Sequence, residues 1–269
     1  MLIEEGVNPK ELTPHATEYL EISDLTVSFG EFVAVRNLSV TAMQGEVRFL
    51  IGPNGAGKTT LIDAITGLVP STGAINKSGV PLNGKPVHKI ARLGVGRTFQ
   101  TASVFEDLTV EQNLDVAAGA GRSAWQLLRQ RKKYSDAVQE ALDIAGLSEI
   151  RHRSAGILSH GQKQWLEIGM LLVQNAEALL LDEPVAGMSA DERDQTGELL
   201  KKIARTRIVL VVEHDMDFMR AFADQVTVMA AGQVLSSGTV AEIQADPRVQ
   251  EVYLGTATAA GLDEVEVNA

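Results

Sequence analysis

The chain has 269 residues, of which 45% are hydrophobic, and this suits one large domain or one domain with an inserted lobe. Its 24 Lys and Arg residues stand against 35 Asp and Glu residues, and the formal charge of −11 argues against wrapping DNA or RNA on a basic face. The absence of cysteine excludes disulfides, thiolate catalysis and cysteine-bound zinc, and it permits a reducing compartment.

Neither a membrane span nor a secretory signal is expected from the sequence. No apolar stretch reaches the roughly 18 residues that would cross a bilayer, and the N-terminus carries Glu4 and Glu5 instead of a basic region. We therefore expect a soluble, acidic, intracellular protein that acts at a membrane only through a partner. Residues 1–17 and 256–269 lack periodicity and are expected to be flexible tails around a domain at 18–255.

Between these tails, strand and helix patterns alternate along the chain. The first part predicts strands at 19–29, 37–42 and 47–51, a helix at 59–66, hairpin-like strands within 71–86 and a strand at 94–99. Residues 109–146 change to a helical pattern. The last part predicts a helix from 161 to about 174, strands at 178–181, 208–212, 226–229 and 233–236, and helices after 190 and at 215–222. Apolar strands that alternate with helices indicate an α/β fold with a parallel sheet covered on both faces, and the helical stretch is most simply an inserted lobe.

A glycine-rich loop follows the apolar strand at 47–51. Its match to G-x-x-x-x-G-K-[ST] comprises Gly52, Pro53, Asn54, Gly55, Ala56, Gly57, Lys58 and Thr59, and Thr60 comes next in the predicted helix. Glycines let successive backbone N–H groups point at phosphate oxygens, and the helix N-terminus adds partial positive charge. Lys58 can reach the terminal phosphates, and the Thr59 hydroxyl can bind Mg²⁺. The pattern predicts a phosphate-binding loop.

An acidic pair, Asp182 and Glu183, ends the apolar strand at 178–181. The carboxyl ends of parallel strands form the ligand-binding edge of such sheets. Asp182 is therefore expected to hold Mg²⁺ through water, and Glu183 to polarise the water that attacks a γ-phosphate. Together with the loop, this pair predicts a nucleoside triphosphatase. The near match to a guanine-reading N-K-x-D motif, at 76–79, lacks the Asp, so ATP is the expected nucleotide.

The run Leu158-Ser159-His160-Gly161-Gln162 resembles the L-S-G-G-Q signature of ATP-binding cassette (ABC) proteins. It lies between Lys58 and Asp182 in the order that this family shows, and its Ser and Gln also form a helix capping box. The resemblance covers roughly residues 18–255. It implies a P-loop fold with a RecA-like parallel-sheet core, an antiparallel β subdomain and a helical subdomain inserted at about 101–165. It also implies that these signature residues contact ATP held by the other subunit of a head-to-tail dimer.

The same resemblance assigns three further roles. Phe29 is similar to the aromatic residue that stacks on adenine, and Gln100 to the glutamine that senses Mg²⁺ and the γ-phosphate beside the transporter partner. His214 is similar to the switch histidine that contacts the γ-phosphate and orders the attacking water. The implied catalytic residues are Lys58, Gln100, Glu183 and His214, and the implied magnesium ligands are Thr59, Gln100 and Asp182.

Two departures from the family pattern point to a subfamily. His160 stands where the family usually has glycine, and residues 186–189 replace the common S-A-L-D. The runs at 96–100, 183–188 and 252–255 look like the ATPase subunits of branched-chain amino acid importers. The run at 158–172, LSHGQKQWLEIGMLL, looks closest to the urea importer's subunit within that group.

The resemblance therefore implies an ATP-hydrolysing importer subunit that uses ATP and Mg²⁺. Expected partners are a second cassette, identical or related, two membrane permease subunits and, indirectly, a periplasmic binding protein, but no nucleic acid. The expected place is the cytoplasmic face of the inner membrane, and the expected cargo is urea. Branched-chain amino acids or short amides are the alternative cargo. A cassette acting on ribosomes or DNA and a non-hydrolysing regulatory module are the alternative classes, and Glu183 and His214 argue against the last.

Overall fold

The computed structural model describes residues 18–98, 102–119 and 135–252. The strands in this part are β1 (Tyr19–Phe29), β2 (Phe32–Met43), β3 (Val47–Ile51), β4 (Thr72–Lys77), β5 (Val80–Pro81), β6 (Val95–Arg97), β7 (Ala178–Asp182), β8 (Ile208–Val212), β9 (Gln225–Ala230) and β10 (Gln233–Gly238). The α-helices are α1 (Lys58–Ile65), α2 (Val87–Arg92), α3 (Val110–Ala118), α4 (Asp136–Ile144), α5 (His160–Val173), α6 (Ala190–Ala204), α7 (Met216–Phe222) and α8 (Val240–Ala245). They surround two sheets, one antiparallel and one mostly parallel.

The antiparallel sheet has the strand order β2-β1-β4-β5. β1 and β2 form a hairpin in which Phe29 lies opposite Phe32, and β4 pairs with the other side of β1. Alternate residues of β1, such as Leu20 and Ile22, are buried. This alternation is typical of a sheet with one face on the core, and it confirms the antiparallel β part that the resemblance implies.

The second sheet has the strand order β10-β9-β3-β8-β7-β6, and all its pairs are parallel except β9 with β10. Every residue of β3, β7 and β8 is buried, because helices cover one face of the sheet, and α1 with the antiparallel sheet covers the other. Leu50 and Asp182 are both in register with Val212. The carboxyl ends of the three strands therefore meet at one edge, and the polar residues that follow them come together there.

The helices α3, α4 and α5 pack around Leu114, Leu142 and Leu166, which are fully buried. Gly169 of α5 allows a close approach, since a Cβ there would lie 3.1 Å from a methyl carbon of Leu114. The same hydrophobic cluster continues to the parallel sheet, so α5 connects the helical region with the core. The exact limits of an inserted lobe stay a prediction. None of the helices in the described ranges is long and apolar enough to cross a membrane.

The predicted α/β fold class is confirmed, and the element bounds differ in a few places. β3 and β8 have the predicted bounds, because uniformly apolar runs stop sharply at charge or glycine. β2 begins at Phe32 and not at residue 37, since exposed Arg36 and Asn37, the latter with a φ of 46°, interrupt its alternating pattern. α2 and α8 were missed, because six residues are too few to show a helical period. The predicted tails lie outside the described residues.

Candidate active site

The glycine-rich loop joins β3 to α1 and is wedged between two other strands. Gly52 has a φ of 149°, and a Cβ there would lie 2.1 Å from the carbonyl oxygen of Met229 in β9. Gly57 has a φ of 96°, and its Cβ would lie 2.7 Å from the carbonyl oxygen of Ala34 in β2. No L-residue with a side chain fits such positions without moving the neighbouring backbone. The loop is therefore held in shape by packing on both sides.

Lys58 is the first residue of α1, and its side chain turns back over the loop. Its Nζ donates to the carbonyl oxygens of Gly52 at 2.7 Å and of Pro53 at 3.1 Å. Burial lowers the pKa of Lys58, and the negative charges of Glu183 and Asp182 act in the opposite direction. The ammonium group therefore lies within electrostatic reach of both acidic side chains, at the sheet edge where a phosphate chain would bind.

Asp182 ends β7, and its side chain is only 4% exposed. Its Oδ2 accepts a hydrogen bond from Nη2 of Arg97 at 3.2 Å, whereas Oδ1 is buried and has no hydrogen-bond partner among the residues described. Burial raises the pKa of Asp182, and the Arg97 guanidinium opposes this rise. A buried carboxylate oxygen without a partner is a suitable ligand for a hard cation such as Mg²⁺.

The rest of a magnesium site would come from Thr59 and from the nucleotide. Thr59 is exposed at the start of α1. Across 18–98, 102–119 and 135–252, no group of three or more His, Asp or Glu side chains could hold a metal by itself. This donor set fits Mg²⁺, which commonly binds through one or two carboxylates together with substrate phosphates.

Glu183 follows β7 in a backbone conformation that glutamate rarely adopts. Its φ is 51°, and its N–H donates to the carbonyl oxygen of Val212 at 2.9 Å. The Nδ1 atom of His214, which follows β8, lies 3.5 Å from Glu183 Oε1. The structure thus brings two of the four predicted catalytic residues, Glu183 and His214, together on adjacent strand ends. A strained residue held in this way is often found where geometry matters for function.

Glu213 joins the two loops beneath these residues, and no role was predicted for it. Its side chain is 1% exposed and accepts hydrogen bonds from the N–H groups of Val185, His214 and Asp215 at 3.2, 3.0 and 3.4 Å. Burial raises the pKa of Glu213, and these backbone donors oppose the rise. Glu213 therefore ties the loop after β7 to the loop after β8. The signal in the sequence was an acid directly after an apolar strand.

The signature segment, residues 158–162, forms a second cluster at the start of α5. Ser159 Oγ accepts from the N–H of Gln162 at 3.2 Å, and Gln162 Oε1 accepts from the N–H of Ser159 at 3.1 Å, so the predicted capping box is confirmed. Ser159 Oγ also donates to Glu192 Oε1 of α6 at 2.7 Å. A Cβ on Gly161 would lie 2.9 Å from the carboxyl carbon of Glu192. Sequence reasoning missed Glu192, which is distant in the chain.

Phe29 lies at the tip of the β1–β2 hairpin and is 50% exposed. The hairpin packs on the loop, because Val35 of β2 lies 3.3 Å from where a Cβ of Gly57 would be. Phe29 is thus an exposed aromatic residue on the element beside the loop. Gln100 lies outside the described residues. The other predicted residues fall into two groups, one around Lys58 and Asp182 and one around Ser159.

A sheet edge that joins a glycine-rich loop, a lysine and a buried aspartate defines the class of P-loop nucleoside triphosphatases. A model of the ABC transporter family matches residues 35–186 of this chain. A second model, described as branched-chain amino acid ATP-binding cassette transporter, matches residues 233–259. The chain belongs to the ABC transporter family, and it is an ATPase with the cassette fold.

Relatives and solved structures agree with this assignment over most of the chain. The high-affinity branched-chain amino acid transport ATP-binding protein BraF of Pseudomonas aeruginosa is 36% identical over 251 residues, which are 88% of this chain and 98% of BraF. LivG of Escherichia coli K12, of the same description, is 36% identical over 250 residues, again 88% of this chain and 98% of LivG. The ADP conformation of an ATP-binding cassette of an ABC transporter is similar with a TM-score of 0.75 at 31% identity, covering 88% of this chain and 99% of that one. The chain is therefore an ATPase of the group that includes BraF and LivG.

Proposed function

We propose that this ATPase powers the import of branched-chain amino acids. The observation that carries the proposal is the family match at 233–259, because this segment lies outside residues 35–186, which match ABC transporters in general. BraF and LivG, which are named for this transport, are also similar over nearly their whole length. The amino acid cargo is thus better supported than urea, which the sequence motifs placed first.

Within one chain, the loop would hold the phosphates of ATP. Backbone N–H groups of residues 52–60 and the Lys58 ammonium would bind their oxygens. Thr59, Asp182 and Gln100 are the proposed magnesium ligands, and Mg²⁺ would neutralise charge on the β- and γ-phosphates. The unpartnered Oδ1 of Asp182 supports its part in this set.

Hydrolysis of ATP would depend on Glu183 and His214, which follow the ends of β7 and β8. Glu183 would polarise the attacking water, and His214, 3.5 Å from it, would contact the γ-phosphate and order that water. Glu213 would keep the two loops in register through its three backbone hydrogen bonds. Positioning and charge stabilisation would then account for most of the rate.

The working unit would be two cassettes, identical or related, arranged head to tail. Ser159, His160, Gly161 and Gln162 of each would contact the ATP held by the other, and Phe29 would stack on the adenine. ATP would close the pair and hydrolysis would open it. The capped start of α5 supports this role, because the capping box uses the N–H groups of Ser159 and Gln162 but not those of His160 and Gly161, which can bind an anion.

Transport would require membrane partners. We expect two permease subunits to contact the cassettes near Gln100 and the helical region at 101–165, and a periplasmic binding protein to deliver cargo. The chain would thus sit on the cytoplasmic face of the inner membrane. Urea is the second candidate cargo, and the run LSHGQKQWLEIGMLL at 158–172 is the observation that favours it.

Uptake assays in cells that lack this chain would test the proposal. We expect the wild-type chain to restore uptake of labelled leucine, the variant Glu183→Gln to restore none, and labelled urea uptake to stay at background in both. Restored urea uptake without leucine uptake would establish the second candidate. Restoration of neither, by a chain that binds its permeases and hydrolyses ATP, would reject both cargoes.

A further inference from the structure

Arg97 lies in the centre of the site, and it belongs to the run at 96–100, but no role has been assigned to it above. It ends β6, and its side chain is only 9% exposed. One guanidinium nitrogen, Nη1, forms an ion pair with Asp63 of α1, and Nη2 lies 3.2 Å from Asp182 Oδ2 in β7. Two carboxylates therefore share one buried cation. Asp182 is buried and Asp63 is partly buried. Two neighbouring like charges, one of them buried, are tolerated only when each carboxylate is well hydrogen-bonded or bound to a further cation.

The two carboxylates come from the elements that supply two of the proposed magnesium ligands, Thr59 and Asp182. Asp63 is on α1, the helix that begins with Lys58 and Thr59, and Asp182 ends β7. Thr59 and Asp182 lie on separate elements, so the distance between them depends on the contacts that hold α1 against the end of β7. The Arg97 guanidinium is a planar fork with fixed spacing, and it spans this junction.

The strand that carries Arg97 is itself fixed to β7. The N–H of Thr98 donates to the carbonyl oxygen of Leu180 at 3.0 Å, and the N–H of Asp182 donates to the Thr98 hydroxyl at 3.4 Å. The main chain of Asp182 is thus held by Thr98, which follows β6, and its side chain is held by Arg97, which ends β6. This leaves the carboxylate little freedom to rotate about its own bonds.

We propose that Arg97 is a positioning residue for the magnesium site. By binding Oδ2 of Asp182 it fixes the carboxylate and leaves Oδ1 for the cation, and by binding Asp63 it fixes α1, with Thr59, against the same edge. This inference rests on the proposed function of the site. Residues that orient a metal ligand typically affect metal affinity by about 10- to 100-fold when they are replaced.

The test compares the Mg²⁺ requirement of Arg97→Met and Arg97→Lys with that of Asp63→Asn. Arg97→Met keeps an apolar stem without the fork, Arg97→Lys keeps the charge without the fork, and Asp63→Asn keeps an acceptor oxygen and leaves the bond to Asp182 intact. Binding of a fluorescent N-methylanthraniloyl-ATP by the full chain is titrated with MgCl₂ and repeated in EDTA. Circular dichroism and thermal unfolding confirm that each variant is folded.

We expect Arg97→Met to raise the half-saturating Mg²⁺ concentration by roughly tenfold or more, and Arg97→Lys to raise it by less. Asp63→Asn weakens the contact to α1 but leaves the bond to Asp182 intact, so it should raise that concentration by the smallest amount. Affinity for the nucleotide in EDTA should stay within about twofold in all three, because the loop is unchanged. If Arg97→Met is unfolded because it leaves two carboxylates unpaired, the double variant Arg97→Met/Asp63→Asn replaces it.

The inference is overturned if folded Arg97 variants need no more Mg²⁺ than the wild type, or if they lose as much affinity in EDTA as with Mg²⁺. A failure of the proposed function gives a different result. In that case the wild-type chain binds the nucleotide no better than Lys58→Ala, and the Mg²⁺ titration has no signal to compare.

Discussion

The phosphate loop and the signature segment both place the start of a helix at a predicted phosphate site, but the two helix starts differ. α1 begins after Gly57 with no side-chain cap, and its loop is packed between β2 and β9. α5 begins with a complete capping box, and Ser159 binds Glu192 near the surface. An uncapped helix start keeps its N–H donors for an anion, whereas a capped one has used part of them. We therefore expect the first region to bind phosphate by itself, and the second to add contacts to a phosphate that is already held.

The largest expected effect is a loss of ATP hydrolysis in the first region without a loss of ATP binding. Glu183→Gln keeps the shape of the side chain but removes the base, so we expect ATP hydrolysis to fall by about 100-fold or more while ATP still binds. Phosphate release and ATP binding measure the two properties separately. Because hydrolysis opens the cassette pair in the proposed mechanism, dimers should accumulate with ATP in size-exclusion chromatography. Hydrolysis at the wild-type rate would show that Glu183 is not the base.

The second largest expected effect is a loss of ATP affinity in the first region. Lys58→Ala removes the ammonium group that lies over the loop, and we expect ATP affinity to fall by roughly tenfold or more, as for the loss of a charged hydrogen bond. Lys89→Ala, an exposed lysine on α2, is the matched control and should bind as the wild type does. Equal affinities in Lys58→Ala and the control would contradict the assignment of the loop.

The third prediction tests the second region with two serines that have the same local role. Ser159 caps α5 and Ser189 caps α6, each in a capping box, and both hydroxyls bind Glu192. Replacing either by alanine should cost about 1 kcal/mol of stability. In a Glu183→Gln background, only Ser159→Ala should weaken the ATP-dependent dimer, by about fivefold for one lost hydrogen bond. Equal weakening by both would mean that the cap matters and the phosphate contact does not.

The two regions also differ in how much the sequence could predict. The loop, the acidic pair and the capping box are local patterns, and their residues lie where the strand and helix periods place them. No role was predicted for Arg97 or Glu192, because their partners are distant in the chain: Asp182 lies 85 residues from Arg97, and Ser159 lies 33 residues from Glu192. A lone charge in a strand or a first helical turn has an ordinary explanation until the tertiary contact is known. Residues that bind the ligand are therefore easier to predict from the sequence than residues that hold the ligand-binding residues in place.

The smallest effect concerns Glu192, which binds the hydroxyls of both serines. The hydrogen bond from Ser159 is the main reason that the pKa of Glu192 is lowered, so its charge stabilises the fold at neutral pH. This contribution is present above the unfolded pKa of about 4.3 and is lost as pH falls through the lowered folded value. Glu192→Gln cannot titrate there, so we expect a slightly lower Tm than the wild type at pH 7 and a difference that disappears toward pH 3. The expected difference is under about 1 kcal/mol, because the site is near solvent.

Thermal unfolding of the wild type and Glu192→Gln at several pH values measures this difference. Glu198→Gln, which changes an exposed residue further along α6, is the control, and it should show no such convergence. A difference that stays constant down to pH 3 would mean that shape and not charge holds Ser159. In that case packing would hold the signature segment, as it holds the phosphate loop. The starts of α1 and α5 would then differ only in that α5 has a side-chain cap and α1 has none.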